Sequence, residues 1–223
     1  MADLYFNDGG QLMTAWVSVD TGKVPGPNGH RFGGPARHRG AVPQEQEHPL
    51  HLTYEFDSTE SDFPIKFANF RWMPLYFPFQ FEASHLWYRV LSDDAIEIVR
   101  QDSTNWTEEF PYANYPAEFP YCSASVNSPV DIRWEIEDIY GEPADDTCDE
   151  HDLVALCANF CQGPPRTNCV SPACNNQVMD VFARLRWNEH DDVPFGDGEW
   201  EYTKVYFDIC PKCHLIHAGV DCS

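Results

Sequence analysis

Between residues 169 and 174 the chain reads Cys-Val-Ser-Pro-Ala-Cys, and between residues 210 and 213 it reads Cys-Pro-Lys-Cys. Thiolates are preferred ligands of structural zinc, and two such pairs supply the four that a tetrahedral ion needs. The spacing of the first pair lies at the wide end of the usual range. We therefore predict one structural Zn²⁺, with unligated core thiols and a disulfide as the alternatives. The predicted ligands are Cys169, Cys174, Cys210 and Cys213.

A site with four protein ligands has no free position for water or substrate. The cysteine pattern therefore predicts a metal that stabilises the fold by joining two distant loops, and it does not predict metal-dependent hydrolysis. A histidine that replaced one cysteine would leave the site equally closed. The candidates for that exchange are His151, His214 and His217.

Five further cysteines lie outside this predicted site. Cys157 and Cys161 are four residues apart, a spacing that places two side chains on one face of a helix. Buried free thiols are the simplest interpretation of this pair, and a second metal or redox site is the alternative. The five cysteines are Cys122, Cys148, Cys157, Cys161 and Cys222.

The first residues carry neither the basic nor the apolar segment of a secretory signal, and no apolar run reaches the length of about 18 residues that a membrane span needs. We therefore expect a cytoplasmic protein that does not enter a membrane. In that reducing compartment, nine cysteines favour metal ligands and free thiols over a disulfide framework.

The chain has 36 acidic and 14 basic residues, for a formal net charge of −22. This excess argues against nucleic-acid binding, which needs Lys and Arg at the phosphates. The simplest interpretation is a well-solvated surface, including one adapted to a salty cytoplasm. One alternative is a negative surface that attracts a basic protein partner. The other is a set of carboxylates gathered for Ca²⁺, but the D-x-D-x-D-G loop is missing from the sequence.

Alternating apolar and polar residues indicate half-buried strands, and Gly and Pro interrupt the chain densely. The best helix candidate spans 149–160, with Asp149 as its N-cap. The pattern predicts a mostly β protein of the α+β type, with antiparallel sheets, few short helices and one zinc knuckle. Strands are predicted at 13–19, 50–56, 72–79, 86–91, 95–99, 131–137, 179–187 and 200–209.

A short internal sequence repeat indicates a duplication. Gly34-Pro35-Ala36-Arg37 recurs as Gly163-Pro164-Pro165-Arg166 at an offset of 129 residues, and Leu75-Tyr76-Phe77 recurs as Val205-Tyr206-Phe207 at an offset of 130. Because the order of these elements is preserved, we predict two related β-rich halves, at about 1–120 and 130–223, within a single domain over 1–223. The first offset also places Leu50 on Met179, Leu52 on Val181 and Phe56 on Leu185.

These segments resemble the DUF1963 (YwqG-like) family. In the first half the similar segment is 30–35, and in the second half the similar segments are 169–174, 179–187, Phe195-Gly196-Asp197-Gly198 and 202–213. The resemblance covers about half of the chain in short pieces. It implies a duplicated β-rich fold, sometimes with zinc knuckles, and no catalytic residues. The first half lacks a cysteine pair between residues 34 and 50, so a single zinc site is expected.

A cluster of basic residues occupies the predicted loop 30–39, which reads His-Arg-Phe-Gly-Gly-Pro-Ala-Arg-His-Arg. Guanidinium groups and glycine backbone N–H groups suit a carboxylate or a phosphate, so this loop is a candidate site for an anionic ligand. The alternative is that its arginines form ion pairs with carboxylates of the same chain. The candidate ligand-binding residues are His30, Arg31, Arg37 and Arg39.

The segment 67–87 is rich in Phe, Tyr, Trp and Pro. Exposed aromatic residues would anchor a protein partner, whereas buried ones would fill a β core, which is the simpler interpretation. No G-x-S-x-G elbow or phosphate-binding glycine motif occurs in the chain.

The sequence as a whole favours a non-enzymatic, zinc-stabilised protein that binds another protein. One concrete version is an immunity or antitoxin-like protein whose negative field attracts a basic toxin. The alternatives are an enzyme or receptor for an anionic small molecule bound by residues 30–39, and a structural component of a larger assembly.

Overall fold

A computed structural model describes residues 3–4, 15–20, 22–42, 49–63, 65–67, 69–79, 85–102, 118–127, 152–154, 167–185 and 203–222. These residues form antiparallel strands and turns with a single 3-10 turn, Pro172–Cys174, and none of them lies in an α-helix. The prediction of a mostly β fold is therefore confirmed. The strands are β1 (Asp3–Leu4), β2 (Ala15–Asp20), β3 (Arg31–Gly34), β4 (His51–Asp57), β5 (Ile65–Lys66), β6 (Trp72–Phe77), β7 (His85–Ser92), β8 (Ala95–Asp102), β9 (Phe119–Asn127), β10 (Asp152–Val154), β11 (Asp180–Leu185), β12 (Thr203–Ile209) and β13 (Leu215–Cys222).

Eleven of these strands form one sheet in the order β6-β4-β3-β9-β2-β10-β11-β12-β13-β7-β8, and β1 pairs with β5 in a separate ladder. Strands β7 and β8 come from the first half of the chain but lie beyond β13, at the end of the second half. The sheet therefore runs through both halves of the chain.

Most of the predicted strands have counterparts in the structure. The alternating segments correspond to β2, β4, β6, β7, β8, β11 and β12, with bounds that shift by a few residues. Three further strands of the main sheet, β3, β9 and β13, were not predicted, although residues 122–127 of β9 alternate between apolar and polar side chains. The strand predicted at 131–137 lies outside the described residues.

The predicted helix over 149–160 is wrong at the three of its residues that the structure describes. Residues 152–154 form β10, which pairs with β2 on one side and with β11 on the other. This short strand satisfies backbone groups of both neighbours, and that gain outweighs the weak local preference for a helix.

The two halves share a structural irregularity at equivalent positions. The ladder of β4 with β6 shifts register between Leu52 and Tyr54, and the ladder of β11 with β12 shifts between Val181 and Ala183. These positions differ by the same 129 residues as the sequence repeat, and β7 and β13 have bounds that differ by 130. β-Bulges are local features that a fold retains, so this coincidence agrees with the predicted duplication. The two halves differ in how β7 and β13 pair. β13 pairs with β12, the preceding strand of its own half, and also with β7, whereas β7 pairs with β13 of the other half and with β8.

The main core lies on one face of the sheet. Alternation along β12 directs Val205, Phe207 and Ile209 into this core, while Tyr206 and Asp208 lie on the opposite face. The opposite face is also buried here, by a smaller hydrophobic cluster. Three of the four predicted zinc ligands belong to this cluster, and the fourth, Cys213, packs against it. That cluster consists of Trp87, Cys169, Cys174, Met179, Cys210 and Leu215, with Val170 and Cys213 packed against it.

The two outer strands of the main sheet have covered edges. In β6, Pro74 lacks an N–H, and the hydroxyl of Tyr88 donates to the Pro74 carbonyl and accepts from the backbone N–H of Tyr76. Beside β8, Arg39 forms a parallel bridge with Ala95. Gly40, with φ of 89°, lies against this strand, and a Cβ there would be 2.2 Å from the Ile96 carbonyl oxygen. Covering of this kind protects an edge strand from pairing with another chain.

Candidate metal centre

The four predicted zinc ligands come together in the structure. Their sulfur atoms all lie within 4.8 Å of one another. Cys169 Sγ is 3.5 Å from Cys213 Sγ, and Cys174 Sγ is 3.8 Å from Cys210 Sγ. A disulfide has a sulfur separation of about 2.0 Å, so neither contact is a disulfide.

The first cysteine pair is held by a short loop before β11. Cys169 and Gln177 are joined by a backbone hydrogen bond of 2.8 Å, and a further bridge joins Asn168 to Val178. Between them the 3-10 turn Pro172–Cys174 begins with proline, whose missing N–H is not needed at that position. Asn175, with φ of 51°, ends the turn in the left-handed conformation that asparagine tolerates. The loop thereby brings Cys169 and Cys174 to the same side.

The second pair lies in the tight connection between β12 and β13. The backbone N–H of His214 donates to the Cys210 carbonyl over 2.9 Å, and the N–H of Cys210 donates to the Leu215 carbonyl over the same distance. His214 adopts a left-handed conformation with φ of 56°. Because the chain reverses within these few residues, Cys210 and Cys213 both point toward the first loop.

Burial and hydrogen bonding shape the chemistry of the site. Cys169, Cys174 and Cys210 are buried and Cys213 is half-buried. Burial raises the pKa of the Cys169 thiol, the other three sulfurs act in the same direction, and the backbone N–H of Ser171 opposes them by donating to Cys169 Sγ. Four clustered sulfurs are difficult to ionise together without a cation, and a bound divalent ion reverses that balance.

The spacing of the sulfurs fits a tetrahedral ion. Zinc–sulfur bonds of about 2.3 Å place neighbouring sulfurs about 3.8 Å apart. Two of the sulfur pairs, at 3.5 and 3.8 Å, lie near that value, and all four sulfurs lie within 4.8 Å of one another. The four cysteines can therefore hold a metal ion, and soft thiolate ligands in this geometry favour zinc or iron among common metals.

The histidines that were candidates to replace a cysteine have other contacts. The ring of His217 is not part of the four-sulfur cluster and lies between Asp208 and His85. The ring of His214 packs against Phe67 with 5.9 Å between centroids. His151 lies outside the described residues.

No family model, curated protein or solved structure matches the chain. The resemblance to the DUF1963 family therefore stays a prediction. Any function of the protein has to be argued from its own residues.

The basic residues of the predicted loop 30–39 lie in and after a strand. The loop prediction is wrong for residues 31–34, which form β3 between β4 and β9. Gly33 has a φ of 67°, and a Cβ there would be 2.2 Å from the Pro120 carbonyl oxygen. The glycine pair therefore permits the close approach of β9 at a register shift, a requirement of the fold that explains it without a ligand.

The arginines of this segment form ion pairs with carboxylates of the chain, as the alternative interpretation predicts. Arg31 Nη1 lies 2.8 Å and Arg37 Nη2 lies 2.5 Å from Glu55 Oε2. Glu55 is buried, which raises the pKa of its carboxyl, and the two guanidinium groups act against that shift. Arg39 lies on the surface, 3.6 Å from Asp94. An anionic ligand here would have to compete with these carboxylates.

The two histidines of the segment are buried and polar contacts hold them. His30 Nδ1 accepts from the backbone N–H of Asp57, and its Nε2 lies 3.1 Å from Asp62 Oδ1. His38 Nδ1 lies 2.8 Å from the hydroxyl of Tyr76, and burial lowers the pKa of His38 to about 4. These contacts place both rings inside the fold and not at an exposed binding surface.

The aromatic segment 67–87 contributes mainly to the core. Tyr76, Phe77, Phe79 and Trp87 are buried, and Phe67 stacks on Phe70 at the margin of the core. The alternative of an exposed docking surface is therefore wrong for these residues.

Sequence reasoning missed a buried polar chain on the same face of the sheet as the cysteines. Asp208 Oδ2 lies 2.9 Å from His217 Nδ1, and His217 Nε2 lies 3.0 Å from His85 Nδ1. One signal was present in the sequence, because Asp208 interrupts the aromatic and aliphatic strand 205–209. A charged residue at a buried strand position needs a partner, and that partner comes from a neighbouring strand.

Proposed function

We propose that this protein is a non-enzymatic β scaffold, stabilised by one Zn²⁺ at its four cysteines, that acts by binding another protein. The observation that carries the zinc proposal is the convergence of four sulfurs at tetrahedral spacing. Neither of the two short sulfur contacts, at 3.5 and 3.8 Å, is a disulfide, which supports a reducing, cytoplasmic location.

A structural role for the ion follows from the ligand set. Four thiolates complete the coordination of zinc and leave no position for an activated water. Three of the four sulfur-bearing residues are buried, which restricts access to the site further. The ion would join the loop at 169–174 to the hairpin at 210–213 and so fix the connection between β12 and β13.

Metal analysis of the purified protein tests this proposal. We expect about one zinc per chain, retained through dialysis against a weak chelator and lost when a strong chelator is combined with denaturant. The melting temperature of the zinc-free protein should be well below that of the loaded protein. Zinc-free protein with an unchanged melting temperature would contradict a structural role for the metal.

The binding role is supported by the ion pairs that the arginines form within the chain. Six arginines in the described part of the chain form ion pairs with its own carboxylates. These arginines are neutralised by neighbouring carboxylates, and the chain as a whole keeps a formal net charge of −22. A negative surface of this kind attracts a basic protein through long-range electrostatics, as an immunity or antitoxin-like function requires.

Salt dependence of partner capture tests the binding role. Protein immobilised in its zinc-loaded form is expected to retain a basic protein from cell extract at low salt and to lose it as the ionic strength rises toward 1 M, where the Debye length falls to about 3 Å. An unrelated immobilised protein of similar net charge is the control. Capture that does not change with salt, or capture that the acidic control reproduces, would count against this role.

A further inference from the structure

The polar chain Asp208–His217–His85 crosses three adjacent strands. Asp208 lies on β12, His217 is its paired residue on β13, and His85 lies on β7 beside Gly219 of β13. Asp208 and His217 have side chains that are each 1% exposed, whereas His85 is half-buried. The chain therefore leads from a buried carboxylate to a ring that reaches toward solvent.

The hydrogen bond to Asp208 fixes the state of the His217 ring. A carboxylate accepts hydrogen bonds, so Nδ1 of His217 carries the proton that it donates to Asp208 Oδ2. In the neutral ring, the lone pair is then on Nε2, which faces His85 Nδ1 at 3.0 Å. This arrangement, with a carboxylate behind one ring nitrogen and a lone pair presented on the other, is the one that proteins use to orient a metal-ligating histidine.

We propose that His85 and His217 form a second metal site, which binds a divalent first-row transition ion between His85 Nδ1 and His217 Nε2, with Asp208 orienting His217 and water completing the coordination. An ion about 2.0–2.1 Å from each nitrogen would bind the two, which lie 3.0 Å apart, at an angle of about 95°. That angle suits octahedral or square-based coordination and is narrow for tetrahedral zinc.

Two buried polar atoms beside the rings lack partners. Asp208 Oδ1 and Trp87 Nε1 have no hydrogen-bond partner in the described structure. The Trp87 ring lies 4.6 Å from the His217 ring, between centroids. Trp87 Nε1 is a buried donor without a partner beside this ring, and a water bound to the ion is a group that would accept from it.

Charged groups of both signs surround the two rings. Asp208 and Asp102 both act electrostatically on His85, and Arg100, which lies over the Trp87 ring and pairs with Asp102, opposes them. The half-buried position of His85 provides the route by which an ion would enter.

Calorimetric titration with Ni²⁺ tests this site. Protein purified without a histidine tag, with its cysteine site already loaded with zinc, is expected to bind one equivalent of Ni²⁺. The zinc content is measured in parallel, so failure at the cysteines and failure at the histidines are separate results. Removing one of the two ligands in His85→Ala should weaken Ni²⁺ binding by more than tenfold, and Asp208→Asn should weaken it by about 10–100-fold.

His30→Ala is the matched control, because His30 is also a buried histidine next to a carboxylate but, among the residues that the structure describes, has no second histidine at its ring. This variant should bind Ni²⁺ as the wild type does. In nitrogen-detected spectra of the ring, Ni²⁺ should perturb His85 and His217 together. Wild-type protein that binds no Ni²⁺, or a His85→Ala variant that binds it as tightly as the wild type, would overturn the proposal.

Discussion

Replacing Cys210 by serine is expected to lower the free energy of unfolding by more than about 3 kcal/mol and to remove the bound zinc. The metal at a structural zinc site contributes about 10–16 kcal/mol to folding, so the loss of one of four ligands forfeits a substantial part of it. Cys210 is completely buried, and the serine hydroxyl would have to be accommodated among the remaining thiols. Thermal or urea denaturation, together with the zinc content, measures both effects.

Cys122→Ser is the matched control for this substitution. Cys122 is a buried cysteine in the main core on β9, outside the four-sulfur cluster. Serine there should cost only about 1–3 kcal/mol for a buried hydroxyl and leave the zinc content unchanged. Equal losses of stability in the two variants, with equal zinc contents, would mean that Cys210 contributes as a core residue and not as a ligand.

Replacing Glu55 by glutamine is expected to lower the free energy of unfolding by about 3–5 kcal/mol, the usual cost of removing one partner from a buried ion pair. Glu55 Oε2 accepts hydrogen bonds from both Arg31 and Arg37. Arg31 has a side chain that is only 11% exposed, so the substitution leaves a buried cation without its counterion. Its guanidinium carbon also lies 3.7 Å from the centroid of the Trp72 ring, a contact that favours its present position.

The control for Glu55 is Glu97→Gln on β8. Glu97 pairs with Arg89 over 3.2 Å, but both side chains are substantially exposed. A surface pair of this kind contributes at most about 1 kcal/mol. If Glu55→Gln were as mild as Glu97→Gln, the basic residues around β3 would not be held by a buried carboxylate, and the interpretation of this segment as part of the fold would fail.

The cysteine site could be predicted from sequence because its chemistry is local. Each pair is close in the chain, and proline beside it indicates a tight turn, so two short segments fixed four ligand positions. The strands with clear alternation, such as β4 and β11, were predicted for a similar reason, because one face of each lies in the core. Their equivalent bulges were visible only in the ladders, since a bulge depends on the partner strand.

The features that were not predicted, β9 and the contact between His85 and His217, depend on residues that are distant in the sequence. β9 reads Phe-Pro-Tyr-Cys-Ser-Ala-Ser-Val-Asn, which has no strong strand preference, and it forms because β3 and β2 pair with it on either side. The contact of His85 with His217 joins residues that are 132 apart in the chain. No pattern in the sequence relates two such positions, because their proximity arises from the placement of β7 beside β13.

X-ray absorption at the zinc edge of the purified protein measures the coordination of the metal directly. We predict four sulfur atoms around the zinc at about 2.3 Å in the wild type, and fewer sulfur atoms in Cys210→Ser if any zinc remains. A wild-type spectrum dominated by nitrogen and oxygen, or protein in which Cys169, Cys174, Cys210 and Cys213 are joined as disulfides without metal, would contradict it.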